Sequence, residues 1–301
     1  MSQLTLAGRR RSLPWGKIAA WTAMIFFLIL TIFPFLWMIR TAFSTTRSLA
    51  SDPGSLLPVD FTWGAFQRVL GLSTVEQSVA EGGSGASVNF WLYLRNSLVY
   101  STAVTIGQVV FCSMAAYAFA RLRWPGRDAV FGLFLTALLV PPIFTSLPNF
   151  VLIKNMGLLN TFPGLILPTF FMTPFAVFFM RQFFLGINRE IEESAAIDGA
   201  GKWRTFFQIV VPMSSAPIAT LSILTFIGTW NDYFWPLLVG SDDNVRVLTV
   251  ALGVFRSQTP QGSPDWAGLM AATLVAALPV LILFFAAGKK VINSIGYSGM
   301  K

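Results

Sequence analysis

Two short stretches hold residues whose types and spacing suggest chemistry. The first is "EESAAIDGAGKW", Glu192 to Trp203, where acids, an Asp-Gly step and a Gly-Lys pair follow closely. The second is "TWNDYFW", residues 229–235, an amide and an acid set among aromatic side chains. A Gly-Lys pair invites a phosphate-binding reading. A Walker A loop, however, needs a glycine six positions before its lysine and a serine or threonine directly after it, because backbone N–H groups and a hydroxyl must meet phosphate and Mg²⁺. For Lys202 those positions hold Ala196 and Trp203, and no strand precedes them. The chain is therefore not expected to bind ATP itself. It has no histidine and one cysteine, Cys112, in an apolar run. Imidazole general bases and histidine-ligated metals are excluded, and Cys112 reads as a small core residue. No catalytic, cofactor-binding or metal-binding residue is assigned.

The segments that must position these stretches are apolar. Of 301 residues 54% are hydrophobic and 11% charged, with a mean hydropathy of +0.66. Soluble domains carry about a quarter charged residues. Six hydrophobic runs, 18–39, 97–120, 129–153, 165–184, 217–239 and 267–287, each have the roughly 20 residues that a helix needs to cross a bilayer. The first follows the basic stretch "GRRRSLPWGK". It is too long for a signal-peptide core and no small-residue cleavage site follows, so it reads as a retained first span. With the N-terminus inside, fourteen of the 21 lysines and arginines fall on the cytoplasmic side. The positive-inside rule then places both termini in the cytoplasm, and the net charge of +8 is a topology signal with no nucleic-acid partner implied. The resulting layout is a basic N-terminus at 1–17, a six-span domain at 18–288 with a long cytoplasmic loop at 186–212, and a cytoplasmic tail at 289–301 that turns small and flexible. The glycine- and serine-bearing outer loop, about 40–95, reads as flexible.

The loop 186–212 predicts a small helical knob. Asn188 suits the N-cap, and Glu190, Glu192 and Glu193 lie in the first turns, where the helix dipole favours acids. Ser194, Ala195 and Ala196 give it little bulk, and Gly199 can stop it in a left-handed conformation. A second helix follows, with Trp203, Phe206, Phe207 and Val210 on one apolar stripe, ended by Pro212.

The order Glu193, Ala195, Ala196, Asp198, Gly199, Ala200, then Ile209 and Pro212, resembles the EAA loop of binding-protein-dependent ABC importer permeases. Ser194 and Val211 stand where that family often has Ala and Leu. The stretches "NSLVYSTAVTIGQVVFCSMAAYAFARLRWPGR", "FIGTWNDYFWPLLV" and "DWAGLMAATLVAALPVLILFFAAGKKVINSIGYSGMK" extend the likeness over nearly the whole chain, toward the smaller, MalG-like membrane subunit of maltose-type sugar importers. The resemblance implies an all-α membrane protein with six transmembrane helices and a cytoplasmic coupling helix, the type I ABC importer permease fold. It implies a bacterial or archaeal cytoplasmic membrane, a MalF-like second permease, two subunits that hold ATP and Mg, and an external solute-binding protein. The eight residues just named would dock on an ATPase subunit. The outer-loop tip Ser257, Gln258, Thr259, Pro260, Gln261 and Gly262 would reach the binding protein, and the tail would insert between the ATPases. An oligosaccharide is the first expectation for the solute, then monosaccharides or glycerol phosphate esters.

Within the spans, an acid is costly unless it faces water or a partner. Asp232 has two readings: with Trp230, Asn231 and Tyr233 it lines a solute path, or it stands in an aromatic belt near the outer surface. Pro141, Pro142 and Pro148 should break or bend the third span. The alternative class is a secondary transporter or channel without ATPases. Such proteins usually show inverted repeats and several coupled intramembrane charges; this chain shows one such acid and no evident repeat.

Overall fold

The computed structural model describes residues 15–83, 89–257 and 265–296, and these residues form helices and connecting turns without a strand. α1 (Trp15–Ala42) leads into three short helices, α2 (Thr46–Ser51), α3 (Gly64–Val69) and α4 (Val75–Ala80). α5 (Phe90–Arg121) follows, then α6 (Arg127–Thr136), a 3₁₀ turn (Ala137–Leu139), α7 (Pro142–Asn155), α8 (Phe162–Phe170) and α9 (Pro174–Leu185). The knob comprises α10 (Arg189–Ile197), α11 (Lys202–Thr205), a π-helical stretch (Phe206–Val210) and α12 (Val211–Met213). α13 (Ser215–Trp230), α14 (Phe234–Val239), α15 (Leu248–Ser257) and α16 (Trp266–Gly296) complete it.

Three expected spans, the first, second and sixth, are continuous helices. The other three are not. The third is bent by 99° between Leu139 and Pro142, the fourth by 45° between Phe170 and Pro174. The cause is proline: Pro141 and Pro142 in one and Pro174 in the other remove a donor and clash with the preceding turn. Pro148 lies inside α7 without ending it. The fifth starts after a 78° bend at Ser214 and stops at Trp230, so residues 231–233 interrupt the run that the sequence reads as helical to 239. If each bent pair crosses once, the chain has six passes.

α5 is the central post. It packs on α8, α9, α13 and α15. On its lower half Cys112, Ala116, Tyr117 and Ala120 join Val177, Met180 and Phe184 of α9 and Phe206 and Val210 of the π stretch in one buried cluster. Cys112 is buried and free, as its place in the sequence suggests. On the upper half Tyr100 and Val104 pack with Ile153, Leu165, Val239 and Val250. Gly107 permits the contact with α8, because a Cβ there would lie 2.4 Å from the Phe170 ring. α1 is apolar all round and exposed from Trp15 to Leu36. A helix with no polar face suits a lipid surface.

Of the glycine- and serine-bearing stretch that reads as flexible, residues 84–88 lie outside the described residues. α2, α3 and α4 are held by a charge cluster. Arg68 Nη1 donates to Glu81 Oε2 at 2.7 Å and Nη2 to Asp265 Oδ1 at 3.3 Å. Asp265, 4% exposed, also accepts from Thr46 Oγ1 and from the Gly268 N–H at the start of α16. Buried charges of this kind must be paired, and the pairing ties the loop to the sixth span. At the other end, α16 runs unbroken past Lys289 and Lys290 to Gly296, where the sequence suggests a small flexible tail. Residues 297–301, with the rest of the expected insertion between ATPases, lie outside the described residues.

Candidate functional site

The knob forms as its residues dictate. Asn188 Oδ1 accepts from the Glu190 N–H at 3.2 Å, the expected N-cap. Gly199 has φ +81°, and the Ala200 and Gly199 N–H groups return to the carbonyls of Ala195 and Ala196. This is the left-handed C-terminal closure that glycine favours.

Helix geometry then sorts the acids. Glu192 and Ala195 are three apart and share the inner face. The Glu192 carboxylate pairs with Arg121 of α5 at 2.9 Å and accepts from the Tyr117 hydroxyl at 3.3 Å. Arg121 also donates to the Ile187 carbonyl. Both ion-pair side chains are largely shielded, 4% and 13% exposed. Glu193, Ala196, Ile197, Asp198 and Gly199 face outward, and Ile197 is 86% exposed. Among the described residues, no heavy atom beyond the chain neighbours lies within 4 Å of where a Gly199 Cβ would stand.

The second helix differs from the single apolar stripe. Phe206 and Val210 are buried against Tyr117, but Trp203 and Phe207 are 65% and 53% exposed and stack on each other at 6.0 Å. The four residues cover an arc wide enough that one edge meets the core and the other does not. Pro212 sits in the first turn of α12 rather than ending the helix; the break comes at Ser214. Ile209 is half-buried and Pro212 exposed.

Sequence reasoning missed two residues here. Glu192, not Glu193, holds the knob to the spans, and Ile197 is its most exposed apolar group. The signals were present: Glu192 sits three residues before Ala195, and Ile197 is a branched apolar residue set between alanine and aspartate at the end of the helix.

The second candidate region is divided. Trp230 is buried and stacks on Phe226 at 5.6 Å. With Asn231, Leu252, Thr273 and Ala276 it lines a cavity of about 280 Å³ between α13, α15 and α16. Asp232 faces a different one, about 410 Å³, lined by Tyr100, Ser146, Asn149, Thr169 and Trp235. Its carboxylate accepts from the Tyr100 hydroxyl at 3.0 Å and the Trp235 N–H at 3.4 Å. The bend at Pro141 and Pro142 places Ser146 and Asn149 opposite it. Tyr233 belongs to neither lining and lies against Gly253. The structure thus brings Asp232 together with Tyr100 and Asn149, which sequence reasoning did not connect. Of the outer-loop tip, Ser257 ends α15, and residues 258–262 lie outside the described residues.

Residues 108–294, which include the knob and all three bent spans, match the family described as "Binding-protein-dependent transport system inner membrane component". The chain belongs to this family. It is therefore a membrane-spanning transport subunit of a system that depends on a binding protein. It is 30% identical over 273 residues to the diacetylchitobiose uptake system permease protein NgcG of Streptomyces coelicolor, covering 90% of this chain and 85% of the relative. It is 30% identical over 268 residues to the sn-glycerol-3-phosphate transport system permease protein UgpE of Salmonella typhi, covering 88% and 90%. The fold is also that of a chain in the crystal structure of a bacterial ABC transporter involved in the import of the acidic polysaccharide alginate. That match has a TM-score of 0.76 and 21% identity, over 91% of this chain and 95% of the other.

Proposed function

We propose that this chain is the permease subunit of an ATP-driven importer that takes up a carbohydrate, an oligosaccharide by first choice, delivered by an extracytoplasmic binding protein. A second, MalF-like permease completes the pathway. Two ATPase subunits carry ATP and Mg, and this chain binds neither. Both termini face the cytoplasm, and the chain crosses the membrane six times.

The observation that carries this reading is the knob's division of labour. Glu192 and Arg121 fix it to α5, while Ile197, Gly199 and Asp198 present a bare outer face. A rigid projection with an exposed apolar tip and charged edges suits docking into a groove, the apolar tip giving affinity and the charges register. In this role Glu193, Ala195, Ala196, Asp198, Gly199, Ala200, Ile209 and Pro212 form the coupling element. Residues 257–262 are the contact for the binding protein.

The cavity bears on the solute. Asp232, Tyr100, Asn149 and Ser146 offer acceptors and donors beside the Trp235 ring, a pairing that suits hydroxyl-rich, neutral molecules. A carboxylate in that position disfavours a phosphate ester by like charge. The test is a ligand screen on the partner binding protein with neutral oligosaccharides, monosaccharides and glycerol phosphate esters, followed by uptake in vesicles holding the assembled transporter. A neutral oligosaccharide that binds and is transported supports the reading. Binding of phosphate esters alone overturns the solute. Uptake without ATP overturns the importer. In the same vesicles Asp232→Asn should lower uptake by about tenfold, the worth of one charge-assisted hydrogen bond, with the ATPases still bound.

A further inference from the structure

At the cytoplasmic end of α5, the turn into α6 and the first residue of α10 enclose an open basic pocket of about 480 Å³ that the coupling role does not use. Arg123, Trp124, Gly126, Arg127, Asp128 and Arg189 line it. The charges do not cancel. Asp128 is held by Arg127, whose Nε and Nη2 reach its carboxylate at 2.9 and 3.1 Å. These hydrogen bonds also keep the Asp128 carboxyl below its ordinary pKa, so it is ionised and neutralises Arg127. Arg123 and Arg189 are exposed and contribute two further positive charges with no acid in the lining left to answer them.

The pocket adjoins a surface of opposite character. α6 leaves it directly, and its Val130 and Leu133 are exposed, the latter 72%. Trp124, beside the Phe119 ring at 5.7 Å, lies at the join, where an amphipathic ring suits a membrane interface. A positive pocket above an exposed apolar helix fits a ligand with an anionic head and a hydrocarbon tail. We propose that Arg123 and Arg189 seat the headgroup of an anionic phospholipid of the cytoplasmic leaflet, with its acyl chains along α6. The proposal rests on the orientation given above. Because Arg189 opens the coupling helix, the lipid would stand beside the knob and brace it. Juxtamembrane arginines attract anionic lipid by about fivefold each, so the pair contributes roughly thirty-fold.

The experiment is native mass spectrometry of the purified, assembled transporter with phosphatidylglycerol and phosphatidylcholine of matched chains. It needs neither transport nor an oriented membrane, so its failure is separable from failure of the importer reading. The wild type should retain phosphatidylglycerol in preference. R123A/R189A should lose roughly thirty-fold of that preference, and R123K/R189K should keep most of it. Excess inorganic phosphate should not displace the lipid. Equal retention by the wild type and R123A/R189A overturns the proposal, as does displacement by phosphate, which would mark a site for a free anion. Loss of the ATPase subunits from R123A/R189A also overturns it, because the arginines would then face protein.

Discussion

At the end of the molecule that holds α2, α3 and α4, Asp265 accepts hydrogen bonds from Thr46, Arg68 and the Gly268 N–H, and Arg68 spans to Glu81. In the knob Glu192 alone turns inward, to Arg121 and Tyr117, while Glu193, Asp198 and Lys202 face out beside the exposed Ile197. The first arrangement is closed within the chain: the Arg68 and Asp265 side chains are buried, paired with each other and tied to a span. The second has a fixed base and an unfinished face. The contrast separates two uses of charge in an apolar protein. Inward pairing ties short helices to a span, and outward display leaves charges exposed, which under the proposed function another subunit completes.

Mutations at the two ends should therefore fail differently. The largest expected effect is at the outer cluster. Asp265→Ala leaves Arg68 buried without one partner, at a cost of about 3–5 kcal/mol. A lowered thermal transition with retained ATPase binding is expected from melting and co-purification, and loss of the ATPases would erase the contrast. Gly199→Trp comes next. A Cβ at that φ costs about 1 kcal/mol, and the chain itself offers no clash. The protein should insert and pair with its partner permease, while solute-stimulated hydrolysis falls by roughly tenfold or more as the ring blocks docking. Gly199→Ala separates the terms, since it carries the strain with little bulk. Wild-type coupling in Gly199→Trp would place the ATPase contact elsewhere. Ile197→Ala removes the exposed apolar tip. If docking buries it, about 1.5 kcal/mol and roughly tenfold in ATPase retention should be lost, with no change in melting. The smallest effect belongs to Asp198→Lys, an edge charge reversed. A loss of about threefold that fades as salt is raised is expected; salt-independent loss would point to a packing defect.

Much of this was legible in the residues. Length and hydropathy locate the apolar segments, and Asn188 and Gly199 mark both ends of the knob helix because caps are local chemistry. The bend at Pro141 was legible for the same reason. The sequence reads through the break after Trp230 because residues 233–239 are apolar, although Pro236 cannot donate to the residue 232 carbonyl. What Asp232 finds there was not legible: Tyr100, 132 residues away along the chain. Likewise Glu192 and Glu193 are neighbours of one type, and their roles differ because Arg121 stands on one side of the helix. The outer cluster joins Arg68 to Asp265 across 197 residues, a pairing that no local pattern encodes.

The bend at Ser214 sets a gear ratio. Beyond it α13 extends for 16 residues, about 24 Å at 1.5 Å per residue. If that helix pivots stiffly on the bend, a turn of about 10° at the knob sweeps its far end through about 4 Å. Trp230 and Asn231 stand at that far end, on the wall of the smaller cavity. A rotation too slight to unseat a single side chain at the knob would there become a displacement wider than a water molecule.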